Sequence, residues 1–109
     1  MKVILFGSEY IGRGDDTLGF SIMVEFFEAL LRREEKPVAL IFWNEAVKLL
    51  TRDSPCASRI KTLEDKGVKV LAGRLCVNEL GISDKLYAGT LASMDEILNY
   101  LLKYEVISL

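Results

Sequence analysis

Lys2-Val3-Ile4-Leu5-Phe6, closed by Gly7, opens the chain with an apolar run that lacks the alternation of a strand with one wet face. Continuous hydrophobicity of this kind suits a strand covered on both sides, as in a parallel sheet. A polar, glycine-rich stretch, Gly7 to Asp16, follows, and then Leu18, Ile22, Met23, Phe26, Phe27, Leu30 and Leu31 recur at helical spacing. Asp15 and Asp16 stand where negative charge favours a helix start, and the pattern predicts a helix ending near Glu34, ahead of Pro37. Val38 to Trp43 reads as a second strand, and Asn44 as the cap of a short helix carrying Ala46, Val47 and Leu50.

The rest of the chain repeats this alternation. Ser54-Pro55 is a cap followed by proline at a first helical position, and Gly67 supplies the left-handed residue that ends that helix after Lys66. Val68 to Leu71 is a third strand, Cys76 to Leu80 a short helical turn, and Leu86-Tyr87-Ala88 a brief fourth strand. Ser93-Met94-Asp95-Glu96 is a capping box opening a last helix, with Met94, Ile97, Leu98, Leu101 and Leu102 as its buried stripe. Glu105 to Leu109 closes the chain as a strand. Alternating strands and helices select an α/β fold, a three-layer α/β/α sandwich on a mainly parallel five-stranded sheet. With 109 residues, residues 1–109 make one domain.

Composition narrows the function. Half the residues are hydrophobic and 28% are charged, which excludes a disordered chain. A net charge of −2 argues against nucleic acid or an anionic membrane surface as partner, since both need a basic face. The chain has no histidine, so Ser-His-Asp and Cys-His pairs, imidazole metal sites and a histidine pH switch all fall away. No apolar run exceeds the six residues Val38 to Trp43, against ~20 for a spanning helix. Two cysteines, Cys56 and Cys76, are too few for a disulfide scaffold or a cysteine zinc site. The expectation is a reduced, cytoplasmic protein without metal or cofactor.

Ligands of open parallel sheets gather at the carboxyl ends of the strands. That edge collects Gly7 to Asp16 from the first loop, with Gly7, Ser8, Gly12, Arg13, Gly14, Asp15 and Asp16 as candidates, Asn44 from the second, Gly73 to Asn78 from the third, with Gly73, Arg74, Cys76 and Asn78 as candidates, and Gly89 to Ser93 from the fourth. The first loop lacks the Gly-Lys-Ser/Thr ending of a P-loop, and its two aspartates would repel the phosphate that Arg13 attracts. A capped, tightly turned connection explains it better than a nucleotide cradle. A phosphate-receiver domain is also excluded, because Gly73 and Arg74 stand where its aspartate would be. Cys56 shares a helix face with Ile60 and Leu63 and reads as buried filler. Cys76, two residues after Arg74 and beside a helix start, lies where cationic and amide fields stabilise a thiolate. The alternative for Cys76 is an inert thiol turned to the core. Phe20 and Val24, outside the main apolar face of the first helix, point to an association surface.

Several motifs in register carry a family likeness: Gly12-Arg13-Gly14-Asp15-Asp16-Thr17-Leu18-Gly19, Phe42-Trp43-Asn44-Glu45-Ala46-Val47-Lys48-Leu49, Ser54-Pro55, Leu63-Glu64-Asp65-Lys66-Gly67-Val68 and the segment Cys76 to Leu86. In these the chain resembles the DsrE-like family, and within it the carboxyl-terminal domain of the YedF-type proteins associated with selenium metabolism. The resemblance implies a sheet in the order 4-3-2-1-5, a homotrimer or hexamer, and relatives that carry sulfur as a cysteine persulfide between donor and acceptor proteins. One departure stands out. The position of the working cysteine in the sulfur carriers matches Gly73 here, and of the C-x-x-C found in related small members only the second cysteine, Cys76, remains. Two functions follow as expectations: a sulfur relay on Cys76, with Arg74 and nearby amides holding the thiolate and Asn78 orienting the acceptor, or a non-catalytic oligomeric module that binds a small ligand or serves assembly.

Overall fold

The computed structural model describes all 109 residues. Five strands, β1 (Lys2–Phe6), β2 (Ala39–Phe42), β3 (Lys69–Gly73), β4 (Thr90–Ala92) and β5 (Glu105–Ser108), form one sheet in the order β4-β3-β2-β1-β5, with every pairing parallel. Four α-helices connect them: α1 (Asp16–Arg32), α2 (Ala57–Asp65), α3 (Arg74–Glu79) and α4 (Met94–Lys103).

Both faces of the central strands are buried, which is the physical reason for their unbroken hydrophobicity. Ile4, Phe6, Leu40, Phe42, Val70 and Ala72 face the larger core, where Met23 and Phe27 of α1 and Ile60 and Leu63 of α2 meet them. Phe6 stacks on Phe42 with ring centroids 4.7 Å apart, and Phe27 packs against both. Val3, Leu5, Ala39, Ile41 and Leu71 face the opposite layer, which is thinner and rests on Ile97 of α4. No helix is long and apolar enough to cross a membrane.

Helix ends follow local chemistry. Asp15 caps α1 by accepting the amide of Leu18 at 2.9 Å, and Ser93 caps α4 by accepting that of Glu96 at 3.2 Å. At Ser54 the hydroxyl accepts the amide of Cys56, so Ser54-Pro55-Cys56 forms a turn and α2 begins at Ala57, later than the cap-and-proline reading places it.

Four local expectations are corrected. Asn44 does not cap: it is the first residue of a 3-10 helix, Asn44–Leu50, whose N-cap is Trp43 without a side-chain bond, and its φ is +52°. Leu86-Tyr87-Ala88 is not the fourth strand. The amides of Tyr87 and Ala88 both donate to Leu50 O, and Gly89, at φ +87°, turns the chain so that Thr90–Ala92 pairs with β3. Leu86 and Ala88 pack into the core from a loop while Tyr87 is half exposed, and the strand itself is a half-exposed sheet edge with little need of apolar residues. The stripe on α4 is mostly uncovered: Ile97 is buried, but Met94, Leu98 and Leu102 are exposed, because one helix spans the crossover from one sheet edge to the other and nothing lies over its outer flank. On α1, Phe20 and Val24 pack partly buried against the core, and the exposed apolar residues are instead Leu18 and Ile22.

Candidate functional site

The carboxyl ends of β2, β3 and β4 open onto a cleft of about 740 Å³. Trp43 and Asn44 leave β2, Gly73 ends β3 and passes directly into Arg74, Leu75, Cys76 and Asn78 of α3, and Ala92 and Ser93 lead from β4 into Met94 and Ile97 of α4. Apolar surface dominates the lining, with Arg74, Asn44, Asn78, Glu79 and Ser93 as its polar groups.

Cys76 is the one thiol in the cleft, and it is half-buried. Its Sγ accepts the backbone N–H of Asn44 at 3.0 Å. The positive φ of Asn44 accompanies this contact, a conformation that costs a residue with a Cβ about 1–2 kcal/mol and that asparagine tolerates better than most. Such local strain is characteristic of sites where a backbone group must point in one direction. Beneath the sulfur, Gly73 leaves room. A Cβ at that position would stand 3.3 Å from Cys76 Sγ and 3.6 Å from both Phe42 O and Trp43 Cβ.

Cys56 occupies a different environment. It is fully buried with Ile60 and Leu63, and burial pushes its thiol up to about 11 against the opposing pull of Arg59 and the Ser54 hydroxyl. It belongs to the core, as its helical spacing predicts.

Of the residues placed at the ligand edge by sequence, Asn44, the Gly73 to Asn78 residues Gly73, Arg74, Leu75, Cys76 and Asn78, and Ala92 and Ser93 before α4 are brought together in the cleft. The first loop stands apart from it. Gly7 lies near the cleft only through Trp43, with its Cβ position 3.8 Å from Nε1. Ser8 is spent on a turn, donating to Tyr10 O at 2.8 Å and accepting the amide of Tyr10 at 3.1 Å. Asp15 caps α1, Asp16 begins it, and Gly12 and Gly14 hold φ of +84° and +124° in an open turn around Arg13. A capped connection is what the loop is. No group of three or more His, Cys, Asp or Glu comes together in a way that could hold a metal ion. Of the apolar wall formed by Trp43, Leu75, Met94 and Ile97, only Leu75 falls within the segments that sequence places at this edge, although position at strand ends was available as a signal for Trp43 and Met94.

The DsrE/DsrF-like family model matches residues 9–109. This chain belongs to the DsrE/DsrF-like family. Solved structures agree in fold: YchN from Escherichia coli superposes with a TM-score of 0.70 at 16% identity, covering 100% of both chains. MTH1491 from Methanobacterium thermoautotrophicum, described as a protein of unknown function, gives 0.67 at 16% identity over 99% of this chain and 98% of its own. BT1422 from Bacteroides thetaiotaomicron, likewise of unknown function, gives 0.66 at 20% identity over 99% and 94%. No curated protein matches the sequence significantly.

Proposed function

We propose that this DsrE/DsrF-like protein is a sulfur carrier whose working group is Cys76. The observation that carries the reading is the Asn44 N–H aimed at Cys76 Sγ at 3.0 Å on the wall of an open cleft. A donor of this kind solvates sulfur that bears negative charge, and the thiolate is the form that attacks sulfur. The Cys76 thiolate attacks the outer sulfur of a donor persulfide, a new S–S bond forms as the donor's S–S bond breaks, and the donor leaves as its thiolate. Discharge repeats the exchange in reverse, with an acceptor thiolate attacking the outer sulfur now on Cys76. Arg74 supplies positive charge in the lining, and Asn78, one helical turn further along, is placed to orient the acceptor. Incubation with a cysteine desulfurase and free cysteine should add the mass of one sulfur atom to the peptide bearing Cys76. Failure of that peptide to gain mass while control thiols load would end the proposal.

A second reading rests on the uncovered flank of α4. Met94, Leu98 and Leu102, 55%, 41% and 83% exposed, form a strip at successive helical turns that water would not favour in an isolated chain. We propose that a second copy covers it in a homotrimer or hexamer, and if the sulfur chemistry is absent the protein is an assembly or small-ligand module on the same scaffold. Light scattering of the parent and of a Leu98→Glu, Leu102→Glu variant distinguishes the cases. The strip is an interface if the parent has a multiple of the monomer mass and the variant does not. A strictly monomeric parent across micromolar concentrations removes it, and in the module case Cys76→Ser leaves the oligomer mass unchanged.

A further inference from the structure

We propose that Gly73 is a specificity-determining position that commits sulfur bound on Cys76 to transfer, by denying the chain an internal thiol that would expel it. The inference rests on the sulfur-carrier reading and adds what keeps the bound sulfur from being discharged within the chain before an acceptor arrives. Two observations carry it. The first is that the only other cysteine, Cys56, is fully buried in the core cluster and takes no part in the cleft. The second is the 3.3 Å between the Cβ position of residue 73 and Cys76 Sγ.

In a disulfide the sulfurs lie ~2.05 Å apart and the two Cβ atoms ~3.8 Å apart, so the distance from one Cβ to the far sulfur falls between, on the order of 3 Å. Position 73 is thus within a few tenths of an ångström of the separation a disulfide to Cys76 requires. A thiol there would attack the inner sulfur of a loaded Cys76. The new bond would join the two cysteine sulfurs, the bond to the outer sulfur would break, and the outer sulfur would leave as hydrosulfide. The cysteine sulfurs would be oxidised to a disulfide, the outer sulfur reduced to sulfide, and the cargo lost. Glycine removes this route, and the open side of the cleft leaves the outer sulfur to an external thiol.

The test loads the parent, Gly73→Ser and Gly73→Cys with inorganic polysulfide, removes excess, and follows cyanide-labile sulfur, released sulfide and intact mass. The parent should retain the sulfur until glutathione is added and then pass it on as glutathione persulfide; Gly73→Ser, whose Cβ crowds Sγ, should load more slowly, but the sulfur it takes up should likewise leave only once glutathione is added. Gly73→Cys should release sulfide without any added thiol, faster by roughly a hundredfold or more, and finish lighter by two hydrogens than its reduced form. The Ser variant separates the effect of a thiol from that of a Cβ. Equal retention by all three loaded proteins, or spontaneous loss from the parent, overturns this inference and leaves the carrier reading standing. A parent that takes up no sulfur overturns the carrier reading and this inference with it.

Discussion

The backbone amide of Asn44 and the sulfur of Cys76, thirty-two residues apart in sequence, meet at 3.0 Å. The end of β2 and the first turn of α3 are neighbours only because β2 pairs with β3, and the positive φ of Asn44 accompanies the amide's approach to that sulfur. Asn44→Gly, which keeps the amide and accepts φ > 0 without steric cost, should preserve the alkylation rate of Cys76 by iodoacetamide and leave stability equal or slightly higher. Asn44→Val should lose about 1–2 kcal/mol in denaturant unfolding and slow the alkylation, because a β-branched residue resists that conformation. Equal rates in both variants would show that the contact does not govern the thiol.

Cys56 should give the protein an alkaline limit. Its folded value of about 11 stands above the ordinary thiol value of 9.0, so above pH 9.0 the unfolded chain sheds a proton that the folded chain keeps. The contribution is full below pH 9.0 and is lost progressively as pH rises to about 11, amounting to about 2–3 kcal/mol. Urea midpoints across this range should fall in the parent and fall less in Cys56→Ala, which costs about 1 kcal/mol at neutral pH through its small cavity.

Gly19 sits where α1 crosses the first loop. A Cβ there would come within 2.9 Å of Tyr10 Cβ and 3.2 Å of Ile11 O. Alanine gains ~1 kcal/mol in helix propensity over glycine, but overpacking of ~1–3 kcal/mol opposes it. Gly19→Ala should therefore be net destabilising by about 1 kcal/mol in thermal unfolding, and a rise in Tm would mean that the loop yields freely.

Glu64 ties α2 to the turn before β4, both carboxylate oxygens lying 3.2 Å from the Gly89 N–H. Hydrogen bonds to a charged group contribute ~1.5–3 kcal/mol, and Glu64→Ala should lose an amount near the lower end because the group is partly solvated. Glu64→Gln, which keeps a carbonyl acceptor, should lose less. Hydrogen exchange at the Gly89 amide provides the direct readout, expected to accelerate most in the alanine variant.

Much of this protein was legible in its residues. The unbroken apolar runs Lys2–Phe6 and Ala39–Phe42 announce strands covered on both faces, and the structure covers them so. Asp15 and Ser93 mark helix starts, and both accept the amide three residues on. Cys56 is core for the reason its spacing with Ile60 and Leu63 gives. Such features are local: a periodicity or a cap acts within one or two turns, and sequence displays it directly.

Other features belonged to the tertiary structure alone. Leu86-Tyr87-Ala88 has strand-like hydrophobicity, yet the turn at Gly89 decides that Thr90–Ala92 joins the sheet. The apolar strip of α4 implies burial, but whether Met94, Leu98 and Leu102 find a partner depends on how many helices share that face, and α4 stands over it by itself. The first loop and Cys76 were grouped by strand-end position, whereas the cleft takes residues from β2, β3 and β4 and leaves that loop outside. Residue order along the chain dictated strands, caps and the core cysteine, since those arise from neighbours a few positions apart. Seating the Asn44 amide on Cys76 and opening the space at Gly73 required the sheet to assemble, because parallel pairing joins segments separated by whole crossover connections.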